Sequence, residues 1–306
     1  MSRASRPRLL AVAAAFLAVI LAACGSTAAT ASPSAAPSTA PSVAPTATPA
    51  PSPSVAAVAQ LLEVHGEGGF INPAATIGSL STIVVDSDGR IYTPGTPSDG
   101  STPLVAPVDV RDVGAGGAAQ ILAAMKAAGL DKEASGGVVA DAGSTVFTAE
   151  INGAAVVSRF AAGGGPGPVN HGGGGTGGDS GGPGAAAFAL LAQLMDPTVT
   201  WGAASAPVAT FAPTAYRVYT APGAPADSGT GGSPVAWPLA TGLADFGAAA
   251  AANFGVDGLR TGIVSGADAT TLVTALKGAS PTTAITSGGK SYTIWVRPVL
   301  PDELGS

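Results

Sequence analysis

The sequence predicts an α+β domain with a mixed or antiparallel sheet and few helices. Two observations lead to this class: short β-rich runs flank turn residues along most of the chain, and three stretches carry the apolar spacing of helices. These elements recur in one order on both sides of a glycine-rich loop. The order suggests two repeated β-hairpin–β–α–ββ halves.

Three hairpins are predicted, each from two β-rich runs around a turn. Glycine tolerates positive φ, so Asp-Gly or Asn-Gly between such runs is a strong hairpin signal. The predicted pairs are 82–85 with 90–93 around 86–89, 144–150 with 154–160 around Asn152-Gly153, and 282–286 with 291–299 around 287–290. Asp86 and Asp88 could suggest calcium, but the other EF-hand ligands are missing and a turn is favoured.

The remaining predicted elements are single strands and helices. The strands are 61–64, 104–113, 216–220 and 259–264, and the helices are 117–130, 185–195 and 268–277. Pro197 ends the second helix, while Ser265 and Asp268 have the spacing of a capping box before the third.

Two similar segments support the repeat. Arg90-Ile91-Tyr92-Thr93 resembles Arg217-Val218-Tyr219-Thr220, and a strand with an arginine, Arg111 or Arg260, then precedes the helix in each half. The two sheets of such halves could pair into one, with the helices on one face.

The N-terminus predicts an exported protein. Arg3, Arg6 and Arg8 precede fifteen residues, 9–23, without a charged or polar side chain. This is the length of a signal-peptide core, and it is short for a membrane span of about 20 residues. The end of the run, with Cys24, resembles the lipobox of bacterial lipoproteins. That resemblance implies cleavage after residue 23, lipidation of Cys24 and anchoring to the outer face of the cell membrane. An ordinary signal peptide is the alternative.

A spacer follows Cys24. Residues 26–54 consist of Ala, Ser, Thr and Pro apart from Val43. Because this composition offers neither an apolar face nor charges, it predicts a disordered tether over 24–58. The α+β domain is then expected at 59–306, with halves of about 59–162 and 185–306 joined by the loop 163–184.

Composition limits the partners. The formal net charge is −6, and loss of the three leader arginines makes it −9. An acidic chain of this kind lacks the electrostatic footprint of a nucleic-acid-binding protein. Cys24 is the only cysteine, so no disulfide is expected in the domain. Nothing in the sequence indicates a cofactor, and a protein or small-molecule partner stays unidentified.

One motif suggests catalysis. Gly178-Asp179-Ser180-Gly181-Gly182-Pro183 resembles the nucleophile loop of chymotrypsin-like serine proteases, and His65, Asp109 and Ser180 follow that family's order of triad residues. The motif lies in a loop with thirteen glycines in 22 residues, a composition that produces such a string by itself. A triad needs rigid positioning, which this loop does not supply.

A second group of polar residues lies near the start of the domain. Glu63, His65 and Glu67 alternate along a strand, so they share one face and could hold a cation, with a polar outer face as the favoured interpretation. Glu67, Asp302 and Glu303 are expected to form ion pairs with Arg90 and Arg297 where the halves meet.

Several segments resemble an uncharacterised family of secreted bacterial lipoproteins. The matching stretches are residues 67–70, 88–95, 141–145, 236–239 and 297–303. They cover nearly the whole predicted domain in one order. The resemblance implies export and lipidation but brings no activity with it.

These observations favour a lipid-anchored protein that displays a non-enzymatic binding or interaction domain. A serine hydrolase that uses Ser180 is one alternative. A purely structural envelope protein is the other.

Overall fold

The computed structural model describes residues 58–304 except 69–75, 98, 137–142, 162–183, 203–206, 229–232 and 252–253. Within these residues the predicted α+β class is confirmed, with helices α1 (Gly114–Ala127), α2 (Ala185–Met195) and α3 (Gly266–Ala275). The first sheet contains β1 (Gln60–Gly68), β2 (Ile83–Asp86), β3 (Arg90–Pro94), β4 (Val108–Asp112), β5 (Ala134–Gly136), β6 (Gly143–Ile151), β7 (Ala154–Ala161) and β8 (Val208–Thr210). The second contains β9 (Ala215–Pro222), β10 (Val235–Ala236), β11 (Ala248–Ala249), β12 (Arg260–Ser265), β13 (Ile285–Ser287) and β14 (Lys290–Pro298).

Both sheets are mixed. The strand order is β5-β7-β6-β1-β2-β3-β4-β8 in the first and β10-β13-β14-β9-β12-β11 in the second. Only the edge pairs β5–β7 and β10–β13 are parallel among the described strands. The expectation of one continuous sheet is wrong. The described strands form two separate sheets, each of which buries one face against its own helices, and an isolated bridge joins Val105, before β4, to Val296 of β14.

Each sheet has one face covered by helices. Helices α1 and α2 pack on the first sheet, and their buried side chains share a core with alternate residues of its strands, including Leu62, Val64, Ile91, Ile121, Phe147 and Phe188. Helix α3 packs on the second sheet, where Leu272 joins Val218, Val264, Ile294 and Val296. Because successive side chains of a strand point to opposite faces, the intervening residues lie on the face without helices.

The helix-free faces of the two sheets border a common space. Tyr92 and Val84 of the first sheet pack with Leu300, which follows β14. On the second sheet, Trp295 packs with Ile77 from the segment before β2. Residues 76–82 and 299–304 therefore lie between the sheets and form the surroundings of the site described below.

The three predicted hairpins are confirmed. Asn152 and Gly153 have φ values of 56° and 76°, the left-handed conformation that a tight hairpin turn requires. Gly89 has a φ of 92°, and a Cβ at this position would lie 2.2 Å from the carbonyl oxygen of Gly114. The β2–β3 turn thus needs glycine both for its backbone conformation and for its close approach to the start of α1.

The two similar segments, 90–93 and 217–220, occupy equivalent places in part of the fold. Strands β3 and β9 each pair with the strand that leads into a helix, and Ile91 and Val218 both face the helices. A strand with an arginine precedes the helix in each half as predicted, but the register differs: Arg111 lies opposite Ile91, whereas Arg260 lies opposite Thr220. The other neighbour also differs, being β2 for β3 and β14 for β9. The repeat is therefore limited to the β–β–α core of each sheet.

Several predicted boundaries shift. Only 108–112 of the predicted strand 104–113 form β4. Ser265 is the N-cap of α3, but its side chain makes no capping hydrogen bond, so the predicted capping box does not form. Helix α2 and strand β8 belong to the first sheet's layer, so that layer extends beyond the predicted junction at 163–184. No helix in the described ranges is long and apolar enough to cross a membrane.

Arg111 joins the first sheet to the end of α2. Its Nη2 donates to the carbonyl oxygen of Leu194 at 2.8 Å, and its Nη1 donates to those of Asp196 at 2.7 Å and Val199 at 3.4 Å. The last carbonyls of a helix have no partner within the helix, and a cation is stabilising there. This buried arginine therefore supplies hydrogen-bond donors to the carbonyl groups at the C-terminus of α2.

Replacing this side chain should destabilise the domain. Arg111→Leu removes three hydrogen bonds from a charged donor and leaves buried carbonyls unpaired. We expect the free energy of unfolding in urea to fall by about 2–4 kcal/mol. Arg159→Leu is the matched control because Arg159 is exposed and forms an exposed ion pair with Glu67, at 3.2 Å, so its effect should stay below about 1 kcal/mol. Equal effects of the two substitutions would contradict the role assigned to Arg111.

Candidate functional site: an acidic cleft between the sheets

A cleft of about 230 Å³ opens between the helix-free faces of the two sheets. We call it the acidic cleft because three carboxylates and one arginine line it. Its lining residues are Gln60, Glu63, Thr76, Gly78, Ser79, Leu80, Ser81, Val84, Tyr219, Phe254, Arg297, Leu300, Asp302 and Glu303. The walls come from β1, β2, β9 and β14, and the segments 76–81 and 300–303 close its ends.

Glu63 lies on the β1 side of the cleft. Its Oε1 accepts a hydrogen bond from the Ser81 hydroxyl at 2.5 Å, and its Oε2 accepts one from the Gln60 amide at 3.3 Å. Two donors from different segments therefore hold the carboxylate in one orientation. An oriented carboxylate can accept further hydrogen bonds from a ligand at little entropic cost.

Glu303 is balanced by two arginines of the second sheet. Arg297 donates Nη1 to Oε2 at 2.7 Å and Nη2 to Oε1 at 2.6 Å, while Arg217 Nη2 lies 3.6 Å from Oε1. The backbone N–H of Leu300 also donates to Oε2, at 3.1 Å. Burial alone would raise the pKa of Glu303, but the hydrogen bonds and charge of Arg297 outweigh it and lower the pKa.

Asp302 lacks such compensation. Its Oδ1 is buried and makes no hydrogen bond. Burial and the neighbouring charge of Glu303 raise the pKa of Asp302, with Glu63 adding to the effect. The cleft thus contains one carboxylate that is ion-paired and one whose pKa is raised by burial.

Asp86 lies on the same face of the first sheet as the cleft-lining Val84, and opposite Gln60 on β1. It is completely buried, and neither carboxylate oxygen has a hydrogen-bond partner. Burial, followed by the charges of Asp302 and Asp88, raises the pKa of Asp86 to about 7, although Tyr92 and Arg90 act in the opposite direction. Its proton is therefore held up to neutral pH.

These groups give the cleft a defined chemistry. Glu63 presents a carboxyl oriented by two hydrogen bonds, Asp302 presents a carboxyl whose pKa is raised by burial, and Arg297 is committed to Glu303. Such a set suits a polar ligand that carries hydrogen-bond donors. Among the described residues, no group of three His, Cys, Asp or Glu is arranged to hold a metal ion.

The structure brings together the predicted trio on β1. His65 Nδ1 lies 3.7 Å from Glu63 Oε1, and His65 Nε2 lies 3.4 Å from Glu67 Oε1. Glu67 also pairs with Arg159 at 3.2 Å. Burial acts to raise the pKa of Glu67, but the hydrogen bonds from Arg159 and His65 lower it. The three side chains form a partly exposed polar row that also contacts Arg159, and His65 Nδ1 has no hydrogen-bond partner within it.

The expected ion pairs between the halves form only in part. Glu303 pairs with Arg297 as predicted. Glu67 pairs instead with Arg159, and Arg90 pairs with Asp88 at 3.1 Å. Glu67 and Arg90 lie on strands separated by β2, so sequence order alone gave the wrong partners.

The structure does not bring His65 and Asp109 together. Two strands separate β1 from β4, which corresponds to about 14 Å between them. Strand alternation also places Asp109 on the helix-covered face and His65 on the helix-free face. Ser180 lies outside the described residues, as does Cys24. The described members of the hypothetical triad therefore lack the geometry of the serine-protease site.

Sequence reasoning missed most of the cleft. Gln60, Ser81 and Tyr219 carry no motif, and Asp86 was assigned only to a turn. One signal was present: Asp86 is two residues from Val84 and therefore shares its face of the strand.

Comparison with protein-family models, with curated proteins and with solved structures gave no match.

The buried carboxyl of Asp86 predicts a pH-dependent stability. The folded protein keeps this proton up to about pH 7, whereas an unfolded aspartate loses it near pH 3.8. The folded state thus binds more protons between these values, and its stability falls as the pH rises through them. Asparagine does not titrate, so Asp86→Asn lacks this loss of stability. The free energy of unfolding of Asp86→Asn minus that of the wild type should therefore increase by about 2–3 kcal/mol between pH 5 and pH 8.

Urea unfolding at pH 5 and pH 8 measures this difference. Asp131→Asn is the matched control, because Asp131 is exposed in the turn after α1, and it should leave the wild-type pH dependence unchanged. A constant difference between Asp86→Asn and the wild type at both pH values would contradict the assignment.

Proposed function

We propose that the chain is a lipid-anchored lipoprotein that presents a non-enzymatic binding domain on the outer face of the cell membrane. The observation that carries the proposal is the N-terminal sequence, in which three arginines, a fifteen-residue apolar run and Cys24 follow one another. The segment 26–54 then acts as a spacer between the anchor and the domain. The resemblance to secreted bacterial lipoproteins supports the same location.

The acidic cleft supports a binding role for the domain. Its polar groups come from several segments and are oriented by one another, as in sites that fix a ligand by a few placed polar contacts. The separation of His65 from Asp109 gives no support to the alternative of a serine hydrolase. Binding in the cleft would also distinguish this protein from a purely structural envelope component.

Removing the lipidation site tests the anchor. Cys24→Ala should appear in the culture medium rather than in the membrane fraction, because it loses acyl chains that contribute about 0.8 kcal/mol per buried CH₂. Ser26→Ala is the matched control and should stay with the membrane. Membrane association of Cys24→Ala equal to that of the wild type would contradict the anchor.

Blocking the cleft tests the binding role. Ser81→Trp places a large side chain in the cleft, whereas Ser135→Trp places one on the exposed edge strand β5. In pull-downs from envelope extract, we expect Ser81→Trp to lose the ligand or partner that the wild type and Ser135→Trp both capture. Circular dichroism confirms that both variants are folded.

Three outcomes would contradict this proposal. Capture unchanged by Ser81→Trp would exclude the cleft as the binding site. An empty pull-down with the wild type would favour the structural alternative. Turnover on a panel of hydrolase substrates would favour the enzyme.

A further inference from the structure

A second cavity, of about 460 Å³, lies at the end of the second sheet that α3 leaves uncovered. We call it the cationic cavity. It is lined by Thr220, Pro222, Gly223, Leu243, Ala244, Ala249, Gly258, Leu259, Arg260, Lys290, Ser291 and Tyr292. Two cations and no carboxylate are among these residues, although the chain has 19 acidic and 13 basic residues. The cavity therefore has the opposite charge to the acidic cleft.

Arg260 is held in a fixed orientation at this cavity. Its Nε donates to the carbonyl oxygen of Phe246 and its Nη2 donates to that of Gly247, both at 2.8 Å. No carboxylate of the described residues forms an ion pair with it, so its charge is not neutralised by the protein. A guanidinium fixed in this way is preorganised to bind an anion.

Lys290 supplies the second charge. It is the first residue of β14, directly after the tight turn at Gly288-Gly289, so its backbone is fixed although its side chain is exposed. Within the described part of the chain, no acidic side chain lies within ion-pairing distance of Lys290. The two cations thus border one cavity without a protein counter-ion.

An independent observation points to a ligand. Thr220 is 1 % exposed, lines the cavity, and its hydroxyl has no hydrogen-bond partner. Leaving a buried hydroxyl unpaired is unfavourable because the group loses its hydrogen bonds to water without replacement. A ligand that accepts a hydrogen bond at this position would supply the missing partner.

The rest of the lining is apolar. Much of the wall is formed by Leu243, Ala249, Leu259 and Tyr292. The Ser287 hydroxyl accepts a hydrogen bond from the N–H of Leu243 at 3.1 Å, which fixes the segment that carries Leu243. A concave apolar wall with a few convergent polar groups is typical of small-molecule sites, and the volume lies within their usual range. The body of the ligand should therefore be apolar.

We propose that the cationic cavity binds a small organic carboxylate, with its anionic group between Arg260 and Lys290 and its apolar body against Leu243, Leu259 and Tyr292. The carboxylate accepts hydrogen bonds from the two cations and from the Thr220 hydroxyl. This inference deepens the proposed function by giving the binding domain a ligand class. It does not depend on the anchor, so its failure would leave the result for Cys24→Ala unaffected.

Isothermal titration calorimetry of the full chain tests the proposal with two probes of the same apolar body. 4-Phenylbutanoate should bind with one-to-one stoichiometry, while 4-phenylbutylamine, which has the opposite charge, should not bind at this cavity and should not compete with 4-phenylbutanoate. Lys290→Gln should weaken the binding of 4-phenylbutanoate by about tenfold, and Thr220→Val by about fivefold. Lys126→Gln, which removes an exposed lysine of α1, is the matched control and should leave the affinity unchanged.

The proposal is overturned by any of three results: no binding of 4-phenylbutanoate, equal binding of the amine, or affinities unaffected by both Lys290→Gln and Thr220→Val. Urea unfolding shows whether each variant is folded, so that a loss of binding can be separated from a loss of structure. Lys290 is exposed, so Lys290→Gln should fold as the wild type does, and Thr220→Val removes an unpaired buried hydroxyl without changing the size of the side chain.

Discussion

The arrangement of residues between the sheets depends on the ion pairs and hydrogen bonds of one carboxylate, that of Glu303. Arg217 and Arg297 lie directly opposite each other on β9 and β14, and like charges in this position destabilise a sheet. Glu303 contacts both guanidinium groups and accepts the N–H of Leu300. It thereby reduces the repulsion between the arginines and fixes the segment after β14, whose Leu300 packs against the first sheet. Removing one partner would leave an uncompensated charge in a mostly buried place.

The same segment adds to the effect of burial, which is the main cause of the raised pKa of both Asp86 and Asp302. Fixing Glu303 also fixes Asp302, the residue before it, beside the first sheet. There it raises the pKa of the buried Asp86, and Glu303 in turn raises that of Asp302. Both arginines are directed at Glu303, and neither is among the charges that act on the pKa of Asp86 or Asp302. The polar character of the acidic cleft follows from this unequal distribution.

Local signals were sufficient for most elements of the fold. Glycine and Asn-Gly turns predicted all three hairpins, and apolar spacing with Pro197 gave the bounds of α2. What the sequence could not provide were contacts between distant segments. Arg111, which looked like part of a repeat, bonds to carbonyls 83 to 88 residues away. Likewise, the acidic cleft combines residues near positions 60, 80, 219 and 300, so no single motif could predict it.

The second sheet separates two sites of opposite charge. On β9, Tyr219 faces the acidic cleft, while its neighbour Thr220 lines the cationic cavity. On β14, Arg297 lies in the cleft and Lys290 at the cavity. Because successive side chains point to opposite faces, two strands suffice to build both walls. Under the two proposals, a ligand rich in donors binds on one side of the sheet and an anion on the other, and the charge of each site disfavours the ligand proposed for its neighbour.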